Sequence, residues 1–207
     1  MMLHVGNGAK LWGSAVLFFL VVMLLCGVAY TFACTVLAQL AFPHQANGST
    51  IEVDGTAYGS ELVGQPFAGE DHLWGRPMSP DAKTFTDDRG SKVLWYAPSN
   101  LSPAGDEFAE TVQARIDALR AAHPEQGNKP IPSDLVTESG SGFDPHISPA
   151  AAEYQVERLA RTTGKSPRDI RAIIERCTEQ PQGGILGDAR VNVLKVNLML
   201  DGILPVR

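Results

Sequence analysis

Four side chains with chemistry to offer fall in one short stretch: Ser139, Ser141, Asp144 and His146 all lie within Ile131 to Pro149 (IPSDLVTESGSGFDPHISP). A hydroxyl, an imidazole and a carboxylate are the components of a nucleophile, its base and the group that orients the base. Triad members usually meet through the fold rather than within one loop, and the chain has no GxSxG elbow. The same residues also serve as turn formers, with Asp144-Pro145 making a bend. A membrane-anchored hydrolase working through Ser139 to His146 therefore stands as the alternative to a chain with no catalytic residues of its own. The Ser-Gly-Ser-Gly run lacks the lysine and the strand-glycine-helix setting of a phosphate cradle. His72, His123 and His146 have no metal-ligand spacing, so neither a bound metal nor a bound cofactor is expected.

A long glycine-bearing loop in a small domain points to a functional or interface segment, and the elements around it can be read from their caps. Ser102-Pro103, Ser148-Pro149 and Ser166-Pro167 each place a serine N-cap before a proline at the first helical position. There the hydroxyl accepts an orphan N–H, and proline gives up nothing. Three helices follow: one carrying Phe108, Val112, Ile116 and Leu119, one carrying Ala152, Val156 and Leu159, and one carrying Ile170, Ile173, Ile174 and Cys177. Each spacing predicts one buried stripe, with Arg and Glu on the other face. Thr50 to Val53 reads as a short strand ending at the Asp54-Gly55 turn signal, and Gly59 to Asp71 as loop with short strand. The run Arg190 to Leu204 fits both alternation and a helical stripe; the balance leans to helix, with Asn192 as its cap.

These elements hang on a membrane segment. Lys10 is the only formally charged side chain before Glu52, and Leu11 to Phe42 is apolar well beyond the roughly 20 residues that span a bilayer. A cleaved signal peptide has a shorter apolar region of about 7 to 15 residues and a small-residue cleavage site, whereas here large apolar residues continue to Leu40. The expected division is a short N-terminus over 1–12, a transmembrane helix over 13–37, an exit segment over 38–49 and one domain over 50–207. Lys10 precedes the helix and the next Lys or Arg after it is Arg76, so the N-terminus is expected in the cytoplasm and the domain outside. The fold class is α+β, with three to four helices and short strands in the outer domain. With 17 basic against 23 acidic residues the chain is not built for nucleic acid. Trp74, Trp95 and Tyr96 then read as core or interface residues. Cys26, Cys34 and Cys177 offer no internal disulfide and no CxxC pair.

Blocks spread in order along the chain carry a resemblance to a known family. They are Phe42 to Ser49 (FPHQANGS), Gly59 to Gln65 (GSELVGQ), Gly75-Arg76-Pro77, Ser99-Asn100-Leu101, Pro132 to Pro149, Ala152 with Gln155, Val191 to Leu194 (VNVL) and Asn197-Leu198. In these the chain resembles the C subunits of the Kdp potassium-transporting P-type ATPases. It departs from them at Thr84 to Pro98 and at Met78. The resemblance implies an accessory, non-catalytic subunit of an ATP-driven potassium uptake complex in the cell (inner) membrane, passing it once. The implied partners are a channel-like potassium-binding subunit, a separate ATP-hydrolysing subunit and membrane lipid, with ATP and potassium used by the complex. It further implies a role in assembly and stability. The family's proposed effect on nucleotide affinity would have to be indirect if the domain lies outside. Gln45, Asn47 and Gly48 of the exit segment, with Ser139, Ser141, Asp144 and His146, are the expected partner interface.

Overall fold

The computed structural model describes residues 6–81, 90, 91 and 95–205, which form two units divided after Ser49. In the first, α1 (Gly6–Val22), a π-helical stretch (Met23–Tyr30) and α2 (Thr31–Ala41) make one continuous helix. Its apolar span, Lys10–Ala41, is 32 residues long, and none of its most apolar window is buried by the rest of the chain. At about 1.5 Å per residue it reaches roughly 48 Å, more than the ~30 Å hydrocarbon core, so it can span with tilt. Threonine hydroxyls satisfy carbonyls where the helix widens and resumes: Thr31 Oγ1 donates to Cys26 O (3.4 Å) and Thr35 Oγ1 to Thr31 O (2.9 Å). Phe42 breaks the helix at φ −140°, and Pro43 starts the short α3 (Pro43–Ala46).

The second unit is α+β. Strand β1 (Thr50–Val53) pairs antiparallel with β2 (Thr56–Ser60). The Asp54-Gly55 turn between them has positive φ at both residues (51° and 76°), the primed geometry that suits the strand twist. A second antiparallel pair joins β3 (Ser79–Asp81) to β4 (Trp95–Ala97). The third sheet is three-stranded and antiparallel, with β7 (Arg190–Asn192) between β5 (His146–Ile147) and β6 (Thr178–Glu179). The intervening segment Thr84 to Leu94, where the sequence departs from its resemblance, lies largely outside the described residues. Trp95 and Tyr96 fall on β4, but their side chains lie outside them as well.

Around these lie α4 (Asp106–Ala122), α5 (Pro149–Tyr154), α6 (Val156–Thr163), α7 (Pro167–Arg176) and α8 (Val193–Leu200). Two of the three serine caps form as their spacing requires. Ser148 Oγ accepts the Ala151 N–H and Ser166 Oγ the Asp169 N–H, each at 3.1 Å. The third does not: Ser102-Pro103 sits in a turn closed by Gly105 N–H to Ser102 O (2.9 Å), and α4 starts at Asp106. The two acidic residues of its first turn, Asp106 and Glu107, face the partial positive charge of the helix start in place of a hydroxyl cap. Gln155 separates α5 from α6, so the second predicted helix is a broken pair. Helix α6 ends at Gly164, whose φ of 71° supplies the left-handed cap. The C-terminal run takes its helical reading: Leu194, Val196, Leu198 and Leu200, whose alternation also suited a strand, all lie on α8, with only Arg190–Asn192 extended ahead of it, and Asn192 Oδ1 caps the helix by accepting the Lys195 N–H (3.1 Å).

The core gathers Val156, Leu159, Ile170, Ile173, Cys177, Val191 and Val196, so the stripes predicted for the second and third helices are buried; on α4 only Leu119 is buried, while Phe108, Val112 and Ile116 are half-buried. The expectation that arginines stay on outer faces fails at Arg158, which is fully buried on α6. Its Nε–H donates to His123 Nε2 (2.9 Å) and its Nη2 to His72 O (2.9 Å) and Gln155 Oε1 (2.7 Å); Nη1 reaches Glu70 O. The guanidinium lies 4.2 Å from the Trp74 ring centroid. Burial lowers its pKa to about 10, so it remains charged at neutral pH. Gln155 brackets the backbone of Trp74, accepting its N–H and donating to its C=O, both at 2.9 Å. Asn197 does the same for Leu73, at 2.7 and 3.0 Å. Buried amides thus pin a loop that has no secondary structure of its own.

Candidate functional site

The loop Ile131 to Pro149 is built around the carboxylate of Glu138. It accepts hydrogen bonds from Ser79 Oγ (2.6 Å, β3), Ser99 N (2.8 Å, after β4) and Arg115 Nη2 (2.5 Å, α4). Burial pushes its pKa up, but the donors from Ser79, Arg115 and Ser99 together hold it below the usual glutamate value. Arg76 closes the other side by donating to Thr137 O (3.3 Å) and Glu138 O (2.8 Å), and its Nη1 lies 3.7 Å from Asp144 Oδ2. A groove of about 440 Å³ runs beside these two arginines, walled by Phe67, Trp74, Met78 and Leu119.

The Ser-Gly-Ser-Gly turn is held by its own hydroxyls. Ser139 Oγ accepts the Gly142 N–H (2.9 Å) and lies 3.1 Å from Ser141 Oγ, which accepts the Phe143 N–H at 3.4 Å. Gly142 has φ 79°, and a Cβ there would come within 2.5 Å of the Ala97 carbonyl carbon. Gly64 donates its N–H to Phe143 O (2.7 Å), and a Cβ on it would meet Asp144 O at 2.6 Å. Two glycines therefore allow three backbone segments to stack.

Asp144 Oδ1 accepts the His146 N–H (3.0 Å) and lies 3.6 Å from its Nδ1. The His146 ring holds the Asp144 carboxyl below its ordinary pKa, while burial opposes this. The far ring nitrogen of His146 is 3.5 Å from Asn192 Nδ2 and 3.8 Å from Glu179 Oε1. Among the described residues no hydrogen bond joins Ser139 or Ser141 to His146. An open cleft of about 610 Å³ borders Asp144 and His146, with Asp134, Asp188 and Arg190 on its walls. Also among the described residues, no group of three or more His, Cys, Asp or Glu is arranged to hold a metal ion.

The remaining expected site residues lie in the first unit. Gln39 and Asn47 exchange side-chain amide hydrogen bonds (3.2 Å each), and Asn47 Nδ2 also donates to Pro43 O (2.7 Å). Gly48, at φ 83°, turns the chain after α3, and Gln45, Asn47 and Gly48 are all exposed. Within the second unit the structure brings Ser139, Ser141, Asp144 and His146 into one loop. It adds Glu138, Arg76 and Arg115, which sequence spacing did not single out together, since they come from elements 23 to 62 residues apart.

Comparison with known proteins matches residues 12–202 to the family KdpC, described as K+-transporting ATPase, c chain. A potassium-transporting ATPase KdpC subunit of Clostridium botulinum (strain Eklund 17B / Type B) is 52% identical over 92% of this chain and 95% of its own length. Proteins of the same description from Clostridium perfringens (strain ATCC 13124) and Sorangium cellulosum (strain So ce56) are 48% and 49% identical, over 94% and 91% of this chain and 98% and 95% of theirs. With one long apolar helix ahead of an α+β unit, and a match that runs through both, the chain belongs to the KdpC family, the c chain of K+-transporting ATPases.

Proposed function

We propose that this chain is a non-catalytic subunit that assembles and stabilises an ATP-driven potassium uptake complex, while a channel-like subunit coordinates potassium and another hydrolyses ATP. The observation that carries the reading is the family match over nearly the whole chain, on a molecule whose Ser139 to His146 loop is tied up in turn-forming bonds. The unburied apolar helix supports it further: a face of 32 residues without an Asp, Glu, Lys or Arg beyond Lys10 calls for lipid and other helices as cover. Lys10 favours a cytoplasmic N-terminus in the cell (inner) membrane, with the second unit outside. Any influence on ATP binding then acts through the membrane helix. The exposed crest at Ser141, with Asp144 and His146 beside it and Ser139 beneath, is one proposed partner contact. The exposed Gln45, Asn47 and Gly48 are another.

Affinity isolation of the full chain from membranes of its own organism, with mass spectrometry of its companions, tests the proposal. Recovery of the potassium-binding and ATP-hydrolysing subunits is the expected result. A chain that comes down alone, or with proteins unrelated to potassium transport, overturns it.

A further inference from the structure

Between β6 and β7 the chain makes a tight excursion, Gln180 to Ala189 (QPQGGILGDA), that none of the contacts described above uses. Gln182 and Leu186 exchange backbone hydrogen bonds (3.0 and 3.1 Å), and Gly184 N–H bonds Pro181 O (2.9 Å). Gly183, Gly184 and Gly187 have φ of 62°, 75° and 84°, while a Cβ on any of them would meet nothing within 4 Å. Those glycines are therefore needed for backbone shape and not for close packing. The shape lifts two large apolar side chains off the domain. Ile185 is 86% exposed and Leu186 70%, the highest values for large hydrophobics among the described residues of the second unit. The base is clamped across the β6–β7 pair by Arg190 Nη2 to Glu179 Oε2 (2.7 Å).

We infer that Ile185 and Leu186 form a preorganised plug that seats in an apolar cleft on another subunit of the potassium-transporting complex, with a Lys or Arg of that subunit facing Asp188. Charge selects the occupant. Asp188 is the only charged residue between Gln180 and Ala189, it is exposed, and it forms no ion pair among the described residues. Segments drawn to anionic bilayers use Lys, Arg and interfacial aromatics, and Gln180 to Ala189 has none, so nothing in the loop attracts it to such a surface. A loop closed by backbone hydrogen bonds of its own has less freedom to lose on docking than an open one, which is how a two-residue anchor can dominate an interface.

The inference rests on the subunit role proposed above, and its test separates the two. The full chain, carrying a photo-reactive benzoyl-phenylalanine by the substitution Ile185→Bpa, is co-expressed with the other subunits of its complex, isolated and irradiated. A cross-link mapped to one of those subunits is expected. The double variant Ile185→Ser/Leu186→Ser should keep the wild-type unfolding midpoint, since both side chains are already in water. It should weaken retention in the complex by roughly tenfold or more per side chain, the order expected from losing one buried Ile or Leu. If the unsubstituted chain brings down no companions, the subunit role and the plug both fall. If companions are recovered but the cross-link reaches only lipid, only a second copy of this chain, or nothing, the plug alone is refuted. Retention of the double variant at the wild-type level refutes it equally.

Discussion

Replacing Arg158 by Met keeps an unbranched apolar stem of similar shape, without the terminal guanidinium, and removes every polar contact the side chain makes. Glu70 O would still accept Thr162 Oγ1 (2.9 Å), and Gln155 Oε1 would still accept the Trp74 N–H. His72 O and His123 Nε2 would lose the only donors they have among the described residues. Two orphaned acceptors, His123 Nε2 buried and His72 O partly so, cost about 1–3 kcal/mol each, and loss of the desolvated guanidinium from the Trp74 face adds about 1 kcal/mol. Relief from burying a charge works the other way. The net expectation for Arg158→Met is a loss of about 3 kcal/mol, a large part of the stability of a domain of this size. Guanidinium unfolding of the full chain in detergent, followed by tryptophan fluorescence, measures it. In a His123→Phe background the same substitution should cost about 1 kcal/mol less, because one orphan is already gone. A variant within about 0.5 kcal/mol of wild type would falsify the view that this network pins the Glu70 to Trp74 loop.

Further expectations concern pH, sterics, topology and chemistry. Burial, with the Arg158 charge adding to it, holds the His123 pKa below its ordinary 6.5, although its bond to Leu119 O opposes this. The unfolded chain then binds the extra proton first, so stability is level above about pH 6.5 and falls below it. His123→Gln should flatten the drop in urea midpoint between pH 6.5 and 5; an unchanged drop assigns it elsewhere. Gly64→Ala and Gly142→Ala, whose new Cβ atoms strike backbone, should each lose at least about 2 kcal/mol, while Gly140→Ala, with open space, should stay within about 0.5 kcal/mol. Equal effects at all three positions would refute the stacking described for the loop. Cys177 is buried and its pKa is pushed up to about 11, so an impermeant thiol reagent should leave it untouched in folded protein. With Cys26 and Cys34 replaced, Glu175→Cys should label on intact spheroplasts; labelling only after lysis would reverse the proposed orientation. Loss of a hydrolytic activity in His146→Ala would revive the alternative chemistry.

What the sequence made legible was local. The Asp54-Gly55 hairpin turn, two serine caps, the Ile170 and Val156 stripes and the apolar span are each set by neighbours a few residues away. Ser102-Pro103 misled because a Ser-Pro pair also fits a turn, and the acidic pair at 106 and 107 starts the helix as well as a hydroxyl would. Arg158 could not be told from a solvated arginine by its helical position, since its acceptors come from segments 35 and 86 residues away. Glu138 was hidden for the same reason. The Ser139 to His146 residues were visible, but whether they catalyse or shape turns depends on which atoms meet, and that is a property of the fold.

The most direct test of the subunit role is to express the other subunits of the complex with and without this chain and to measure the intact complex recovered from membranes, together with its potassium-stimulated ATPase activity. With the chain, a complex of fixed stoichiometry and potassium-stimulated hydrolysis are predicted. Without it, recovery should collapse, and adding the chain back should restore it. Full recovery of an active complex in its absence would contradict the assembly role outright.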